Sequence, residues 1–306
     1  MKESVLRIEN LSKSYGRIKA LVDVSLEIEK GQVFGLLGPN GSGKTTTLGI
    51  ILGVIRPRSG SFEWFGEPVS TNSLRRIGAI LEHPNFFPYL NAYDNLRIVA
   101  QIRGVAALDI DRVLGLVGLS ERRKHRFQTY SYGMKQRLAI ASAMLGSPEV
   151  LILDEPTNGL DPSGIAEIRE LILKIAAEGT TIVLASHMLD EVQKVCSHVA
   201  VLEKGHKLFS GSVEDVLSST EIIELAAEDM QMLEKALPDF PAYLSHRTVQ
   251  KLIELKINGE CNPGEVNRFL FGQGITCTHL KIRRKTLENY FLELVGRNAE
   301  SGTISL

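Results

Sequence analysis

The sequence predicts an α/β protein built on a parallel sheet, followed by a small C-terminal α+β domain. Three observations carry this. V-L-I-L-D at 150–154 and T-I-V-L-A-S at 181–186 are continuous apolar runs, the pattern of strands covered on both faces. A glycine-rich stretch, G-P-N-G-S-G-K-T-T at 38–46, lies between an apolar strand and a helical segment. Past Ser218-Ser219-Thr220 the chain changes to short strands alternating with helices.

The elements follow in order. Residues 5–36 read as strands: Val22, Val24, Leu26 and Ile28 alternate with other side chains, as in a half-buried antiparallel strand. Lys30-Gly31 turns the chain into V-F-G-L-L, and a helix follows from about Lys44 to Leu52. R-P-R-S-G at 56–60 punctuates the chain, and S-F-E-W-F-G-E-P-V reads as a hairpin turning at Gly66-Glu67. Residues 91–146 are mostly helical, with Asn91 and Asp94 as caps and Leu96, Val99, Ala100 and Ile102 as an apolar face. Asp161-Pro162 opens a helix striped by Ile165, Ile168, Leu171, Ile172 and Ile175, and Gly179 ends it. After the strand at 181–186 come a helix and a hairpin around Lys204-Gly205. Ser212 with Asp215 is a weak capping box. Beyond it, strands are expected at 222–226, 247–257 and 276–283, and helices at 229–237, 263–272 and 286–296. The expected domains are therefore 1–217 and 218–306.

Composition narrows the function classes. The 306 residues are 43% hydrophobic and 23% charged, with a formal net charge of −1. That is an ordinary globular balance, without the basic excess of a nucleic-acid-binding chain. Cys196, Cys261 and Cys277 are widely spaced, without a CxxC pair, so reduced thiols are expected. The apolar runs, such as Ile50–Ile55 and Val150–Leu153, are too short to span a bilayer. If the protein works at a membrane, another chain supplies the spans.

The stretch at 38–46 matches G-x-x-x-x-G-K-[ST], with Gly38, Gly43, Lys44 and Thr45 at the defining positions. Gly38, Pro39, Asn40, Gly41, Ser42 and Gly43 form a loop able to wrap a polyphosphate. Backbone N–H groups from Gly41 to Thr46 make an anion nest at a helix N-terminus. Lys44 would place a point charge between the β- and γ-phosphates of ATP, and Thr45 would offer a hydroxyl to Mg²⁺. The full spacing in its strand–helix context makes an incidental glycine turn a poor account.

The second half of the site is V-L-I-L-D-E-P at 150–156. Two carboxylates ending a buried strand are costly unless a metal or a reaction uses them. Asp154 would hold Mg²⁺ through water, and Glu155 would polarise the attacking water. D-E alone is a common strand end; after four apolar residues, and with a phosphate loop upstream, it is a strong signal.

With both halves in view, the chain resembles the ATP-binding subunits of ABC transporters over about residues 4–217. Tyr15 in L-S-K-S-Y-G matches an aromatic that stacks on adenine. Y-S-Y-G-M-K-Q-R at 130–137 matches the signature motif, with Ser131 and Gly133 facing nucleotide. N-G-L-D-P at 158–162 matches a loop whose Asp161 crosses a dimer interface, and His187 in A-S-H-M matches a γ-phosphate switch histidine. Singly each is weak; their order around Lys44 and Glu155 carries the resemblance. It implies a P-loop NTPase of ABC type: a RecA-like parallel-sheet core, an antiparallel β subdomain and a helical subdomain at about 90–146. It also implies a head-to-tail dimer with a second copy, each ATP lying between the phosphate loop of one chain and the signature of the other.

Two departures stand out. Glu82, in A-I-L-E-H-P-N, occupies a position where the family usually carries a glutamine touching Mg²⁺ and the attacking water; Glu82 is expected to keep that catalytic and metal-facing role. Tyr132 replaces a glycine of the signature, and Met134 its usual glutamine. These variants, with a C-terminal extension ending in T-L-E-N-Y-F-L-E-L, resemble the bacitracin-resistance and lantibiotic-immunity subgroup. The resemblance implies an ATPase on the cytoplasmic face of the cell membrane, bound to a transmembrane permease and exporting a drug or peptide. F-F-P-Y-L at 86–90 makes the surface from Glu82 to Leu90 the expected permease contact.

Two other readings compete. A soluble ABC-type ATPase acting on ribosomes or nucleic acid would usually carry two phosphate loops or a long coiled-coil insertion, and neither is present. A module that binds ATP without hydrolysis conflicts with the presence of both Glu155 and His187. Residues 218–306 hold no catalytic constellation; K-I-R-R-K at 281–285 reads as a solvated basic face. Leu287, Phe291, Leu292 and Val295 form a helical stripe, and the expected role of this part is regulatory or dimer-supporting.

Overall fold

A computed structural model of the chain describes residues 3–81, 85–218, 222–258, 262–283, 286–292 and 294. Glu82, Cys261, Val295 and the C-terminal tail lie outside the described residues. The chain divides into two compact units, Met1–Gly211 and Ser212–Leu306, six residues earlier than the expected boundary.

In the first unit, β1 (Ser4–Tyr15) and β2 (Ile18–Glu29) form a long antiparallel hairpin. β3 (Val33–Leu37) leads through the glycine loop into α1 (Lys44–Ile51). β4 (Ser59–Trp64) and β5 (Glu67–Pro68) make a second hairpin, followed by α2 (Thr71–Arg75) and β6 (Ile77–Ile80). α3 (Ala92–Arg103), α4 (Asp109–Leu116) and α5 (Tyr132–Ala143) form the helical segment. Then come β7 (Val150–Asp154), α6 (Pro162–Ala177), β8 (Thr181–Ser186), α7 (Leu189–Val195), β9 (His198–Glu203) and β10 (His206–Ser212).

Two sheets result. The antiparallel sheet runs β2-β1-β4-β5 and the six-stranded sheet β10-β9-β3-β8-β7-β6. β3, β7 and β8 pair in parallel with their neighbours and are buried at every residue, as their unbroken apolar runs predict. One core joins Leu6, Ile8, Val24, Leu36, Leu48, Ile51, Ile152 and Trp64. The Trp64 indole is fully buried, and its N–H donates to the Ile51 carbonyl at 2.7 Å, so no polar atom of the ring is left unsatisfied.

α3 departs from its expected apolar face. Ile102 points outward at 80% exposure; α3 instead buries Ala92, Leu96 and Ala100, spaced by four. α2 and β6 carried no clear sequence signal. β6 is only four residues long and contains Gly78, where a Cβ would stand 2.1 Å from the Ala143 carbonyl oxygen at the end of α5. Close approach of a helix end, not strand propensity, selects the residue there.

The second unit begins with α8 (Val213–Ser218), whose amide groups at Glu214 and Asp215 donate to the Ser212 hydroxyl. It continues as β11 (Ile222–Ala227), α9 (Met230–Ala236), β12 (Tyr243–Val249), β13 (Leu252–Ile257), α10 (Pro263–Gly272) and β14 (Cys277–Arg283). The β-α-β-β-α-β order with sheet order β12-β13-β11-β14 is the ferredoxin-like arrangement. The segment 247–257, expected as one strand, is a hairpin turning at Gln250, which takes a left-handed φ of 56°. Ile223, Leu225, Ile253, Leu255, Val266 and Leu270 form a separate core. Leu287 is buried, whereas Leu292 of the same predicted stripe is exposed.

Candidate active site

The site grows from the strand order. β8 lies between β3 and β7, so the carboxyl ends of three neighbouring parallel strands open at one edge of the sheet. Such an edge is where open α/β sheets hold ligands. The loop after β3 leads into Lys44 at the start of α1, β7 ends in Asp154 with Glu155 next, and His187 directly follows β8.

Gly38 and Gly43 are required for space as well as for backbone angle. A Cβ on Gly38, at φ 152°, would stand 2.2 Å from the Leu202 carbonyl oxygen. A Cβ on Gly43, at φ 110°, would stand 2.6 Å from Leu21 Cδ2 and 2.7 Å from the Ala20 carbonyl oxygen. The β1–β2 hairpin thus presses on the point where α1 begins.

Lys44 is buried, with 6% of its surface exposed. Its Nζ donates to the carbonyl oxygens of Gly38 at 2.7 Å and Pro39 at 3.3 Å, and lies 3.5 Å from Glu155 Oε1. Thr45 Oγ1 donates to Asp154 Oδ2 at 2.9 Å. Glu155 Oε2 lies 2.8 Å from His187 Nδ1. Five of the predicted residues therefore form one connected cluster: His187–Glu155–Lys44 on one side, Thr45–Asp154 on the other.

Glu155 adopts φ 48°, left-handed for a residue with a side chain. Such a conformation costs on the order of 1–3 kcal/mol and persists only where its surroundings hold it. Here the Glu155 amide donates to the Ala185 carbonyl on β8 at 2.9 Å, and its carbonyl accepts from the Asn158 amide at 3.1 Å.

The donors present fit a polyphosphate and a hard cation. The Ser42 hydroxyl is buried in the loop with no hydrogen-bond partner among the described residues. An anion cradled by the loop would satisfy it. Thr45 and Asp154 are hard oxygen donors of the kind Mg²⁺ takes. Tyr15 ends β1 at 47% exposure, with the Lys13 ammonium 5.2 Å from its ring centroid, which leaves ring surface open for stacking.

Ser131, Gly133 and Asp161 belong to a different place. They line an open pocket of about 490 Å³ with Tyr132, Met134, Arg137, Gly159 and Leu160; no residue of the phosphate loop lines it. Ser131 is the N-cap of α5, accepting from the Met134 amide at 3.3 Å. Asp161 is the N-cap of α6, accepting from the Gly164 amide at 3.1 Å. Two helix N-termini thus open on one cavity. Tyr130 is buried just before Ser131; burial raises its phenol pKa, and its hydroxyl donates to the Arg122 carbonyl at 2.7 Å.

Sequence reasoning did not find the contact partners of this pocket. Arg137 Nε lies 3.5 Å from Glu167 Oε2, tying α5 to α6, and the Tyr132 ring lies against Gly159. The Asn158-Gly159 pair was the available signal, since it favours a left-handed turn.

The fold and the cluster around Lys44 define a P-loop nucleotide-binding domain. Comparison with known proteins carries this further. The family model described as ABC transporter matches residues 21–158. The bacitracin transport ATP-binding protein BcrA of Enterococcus faecalis is 36% identical over 300 residues, covering 96% of this chain and 97% of that protein. The lantibiotic transport ATP-binding protein SrtF of Streptococcus pyogenes is 42% identical, covering 72% of this chain and 99% of that protein. Among solved structures, cbiO1 from Clostridium perfringens, part of the ABC transporter complex cbiONQ, matches with a TM-score of 0.65 and 30% identity, covering 71% of this chain and 92% of that one. The chain belongs to the ABC transporter family of ATP-binding proteins, and is an ATPase of that family.

Proposed function

We propose that this chain is the energy-coupling subunit of an exporter of a drug or peptide, and that it hydrolyses MgATP between two copies of itself. The observation that carries the reading is the convergence of Lys44, Thr45, Asp154, Glu155 and His187 at one sheet edge. The printed names of the relatives, bacitracin transport and lantibiotic transport, support the cargo class.

The roles combine the geometry around Lys44 with what the resemblance implies. The loop from Gly38 to Thr46 receives the β- and γ-phosphates, with Lys44 moving from the Gly38 and Pro39 carbonyls to phosphate oxygen. Mg²⁺, held through Thr45 and Asp154 and, by resemblance, Glu82, would neutralise charge on those oxygens. Glu155 accepts a proton from the attacking water, and His187, 2.8 Å away, keeps the carboxylate turned toward it. Tyr15 stacks on adenine. Ser131 and Gly133 of one copy meet the γ-phosphate held by the other, with the N-terminus of α5 aimed the same way. Asp161 reaches the interface. Because ATP contacts both copies only when they close, its binding draws them together and its loss releases them.

The permease contact is the surface from Glu82 to Leu90. Phe87 and Tyr89 are exposed there at 47% and 63%, with ring centroids 5.8 Å apart. Attachment at the cytoplasmic face through the permease, as the resemblance implies, is part of the proposal; no described helix is long and apolar enough to cross a membrane.

The test is Glu155→Gln in the full chain. It should keep ATP binding, form an ATP-dependent dimer on size-exclusion with light scattering, and lose turnover. A variant that stays monomeric in saturating MgATP would overturn the sandwich.

A further inference from the structure

Tyr132 stands where the signature pattern has a glycine, and the structure shows where the added ring goes. Tyr132 is the first residue of α5, 39% exposed, and its side chain turns toward the loop before α6. A Cβ built on Gly159 would lie 3.4 Å from Tyr132 Cε1, 3.8 Å from Cζ and 3.9 Å from Oη. The ring edge therefore faces the side of Gly159 on which any other residue carries its side chain, at van der Waals distance from a Cβ there. Gly159 takes φ 77°, which is the reason for glycine at this position.

The loop beneath the ring is short. It begins right after Glu155 and ends at Asp161, the N-cap of α6. Within it the Asn158 amide donates to the Glu155 carbonyl and the Leu160 amide to the Thr157 carbonyl, at 3.1 and 3.3 Å. Leu160 closes the contact from below: its Cδ2 lies 3.7 Å from a Cβ built on Gly133. A turn further along α5, Arg137 pairs with Glu167 of α6. α5 meets the loop and α6 at these points, and the one at Gly159 is the nearest to Glu155 along the chain.

We propose that Tyr132 is a positioning residue for ATP hydrolysis: its ring seats Gly159, and so holds the loop between Glu155 and Asp161 in register with the signature helix of the same chain. The proposal rests on the ATPase-sandwich reading above. It gives the tyrosine a task a glycine could not perform. When a neighbour's phosphate meets Ser131, any shift of the α5 N-terminus passes through the ring to the loop that follows Glu155.

Two measurements on the full chain test this, with Tyr132→Ala removing the ring while keeping helix propensity, and Tyr132→Phe keeping the ring. In the nucleotide-free protein, amide hydrogen exchange over 155–161 should be about tenfold faster in Tyr132→Ala and unchanged in Tyr132→Phe. In steady-state kinetics, Tyr132→Ala should lower kcat about tenfold with KM for MgATP within about twofold, and Tyr132→Phe should restore kcat. An active wild type whose Tyr132→Ala variant matches it in both measurements overturns the proposal alone. Loss in Tyr132→Phe equal to that in Tyr132→Ala also overturns it, because the hydroxyl would then be the group that matters. A wild-type chain that binds ATP without turnover overturns the hydrolysis reading and this proposal with it.

Discussion

The Lys44 cluster and the Ser131 pocket contrast in how their polar groups are used. Around Lys44 the functional side chains already engage one another: ammonium to carbonyls and carboxylate, hydroxyl to carboxylate, imidazole to carboxylate. In the Ser131 pocket, Ser131 and Asp161 cap their own helices, Arg137 pairs with Glu167 from α5 to α6, and the space between is open. The first is a site one chain assembles by itself. In the proposed sandwich, the second presents two helix N-termini to the other copy. That difference teaches which mutations should act on nucleotide binding by a single chain and which only on the pairing of two.

The largest effect should come from Lys44→Ala. It removes a charge that the loop glycines are shaped to aim, and charge-assisted bonds of this kind are worth roughly 1.5–3 kcal/mol each. With two phosphates engaged, ATP affinity should fall on the order of 10²-fold in a fluorescent-nucleotide titration. Affinity within threefold of wild type would mean that the cluster is not the phosphate site.

Next is His187→Ala. It leaves the loop and the cation donors in place and releases the Glu155 carboxylate from its 2.8 Å partner. Turnover should fall by about 10- to 100-fold, the lower range for a general base losing its orientation, while ATP affinity stays within about twofold. A fall in affinity matching that of Lys44→Ala would merge the two functions and blur the contrast.

Ser131→Ala sharpens the comparison from the other side. Monomer affinity for ATP should not change, but ATP-driven dimer formation should weaken by about tenfold, roughly one hydrogen bond to a charged group. Losing the cap also costs the helix about 1 kcal/mol. Ser131→Asn, which can cap α5 but presents a different group to the pocket, separates the two causes. If it restores thermal stability without restoring the dimer, the hydroxyl itself serves the partner.

How far the sequence revealed these two places depends on how local each is. The Lys44 cluster was legible because its parts are strand ends and loops with strong local chemistry: a glycine loop, a D-E pair after a buried strand, a histidine after another. Strand order then brings them together. The Ser131 pocket was legible only as motifs. Where the Tyr132 ring goes depends on how α5 and α6 pack, and no periodicity encodes that. The same holds at Gly78, whose reason is the end of a helix more than sixty residues later in the chain. The turn at Gln250 was missed because neither Gln250 nor Lys251 carries turn chemistry; the left-handed angle there is imposed by the pairing of β12 with β13.

The smallest expected effect is removal of residues 218–306. No predicted site residue lies beyond His187. The core around Trp64 and the core around Leu255 share no residue. The shortened chain should therefore keep kcat within about twofold of the full chain, a change below ~0.4 kcal/mol in the barrier. A tenfold loss of kcat would move the ferredoxin-like unit into the catalytic cycle. Loss of the ATP-dependent dimer with intact ATP affinity would instead give it a pairing role, and would show that the Ser131 pocket is not sufficient to bring two copies together.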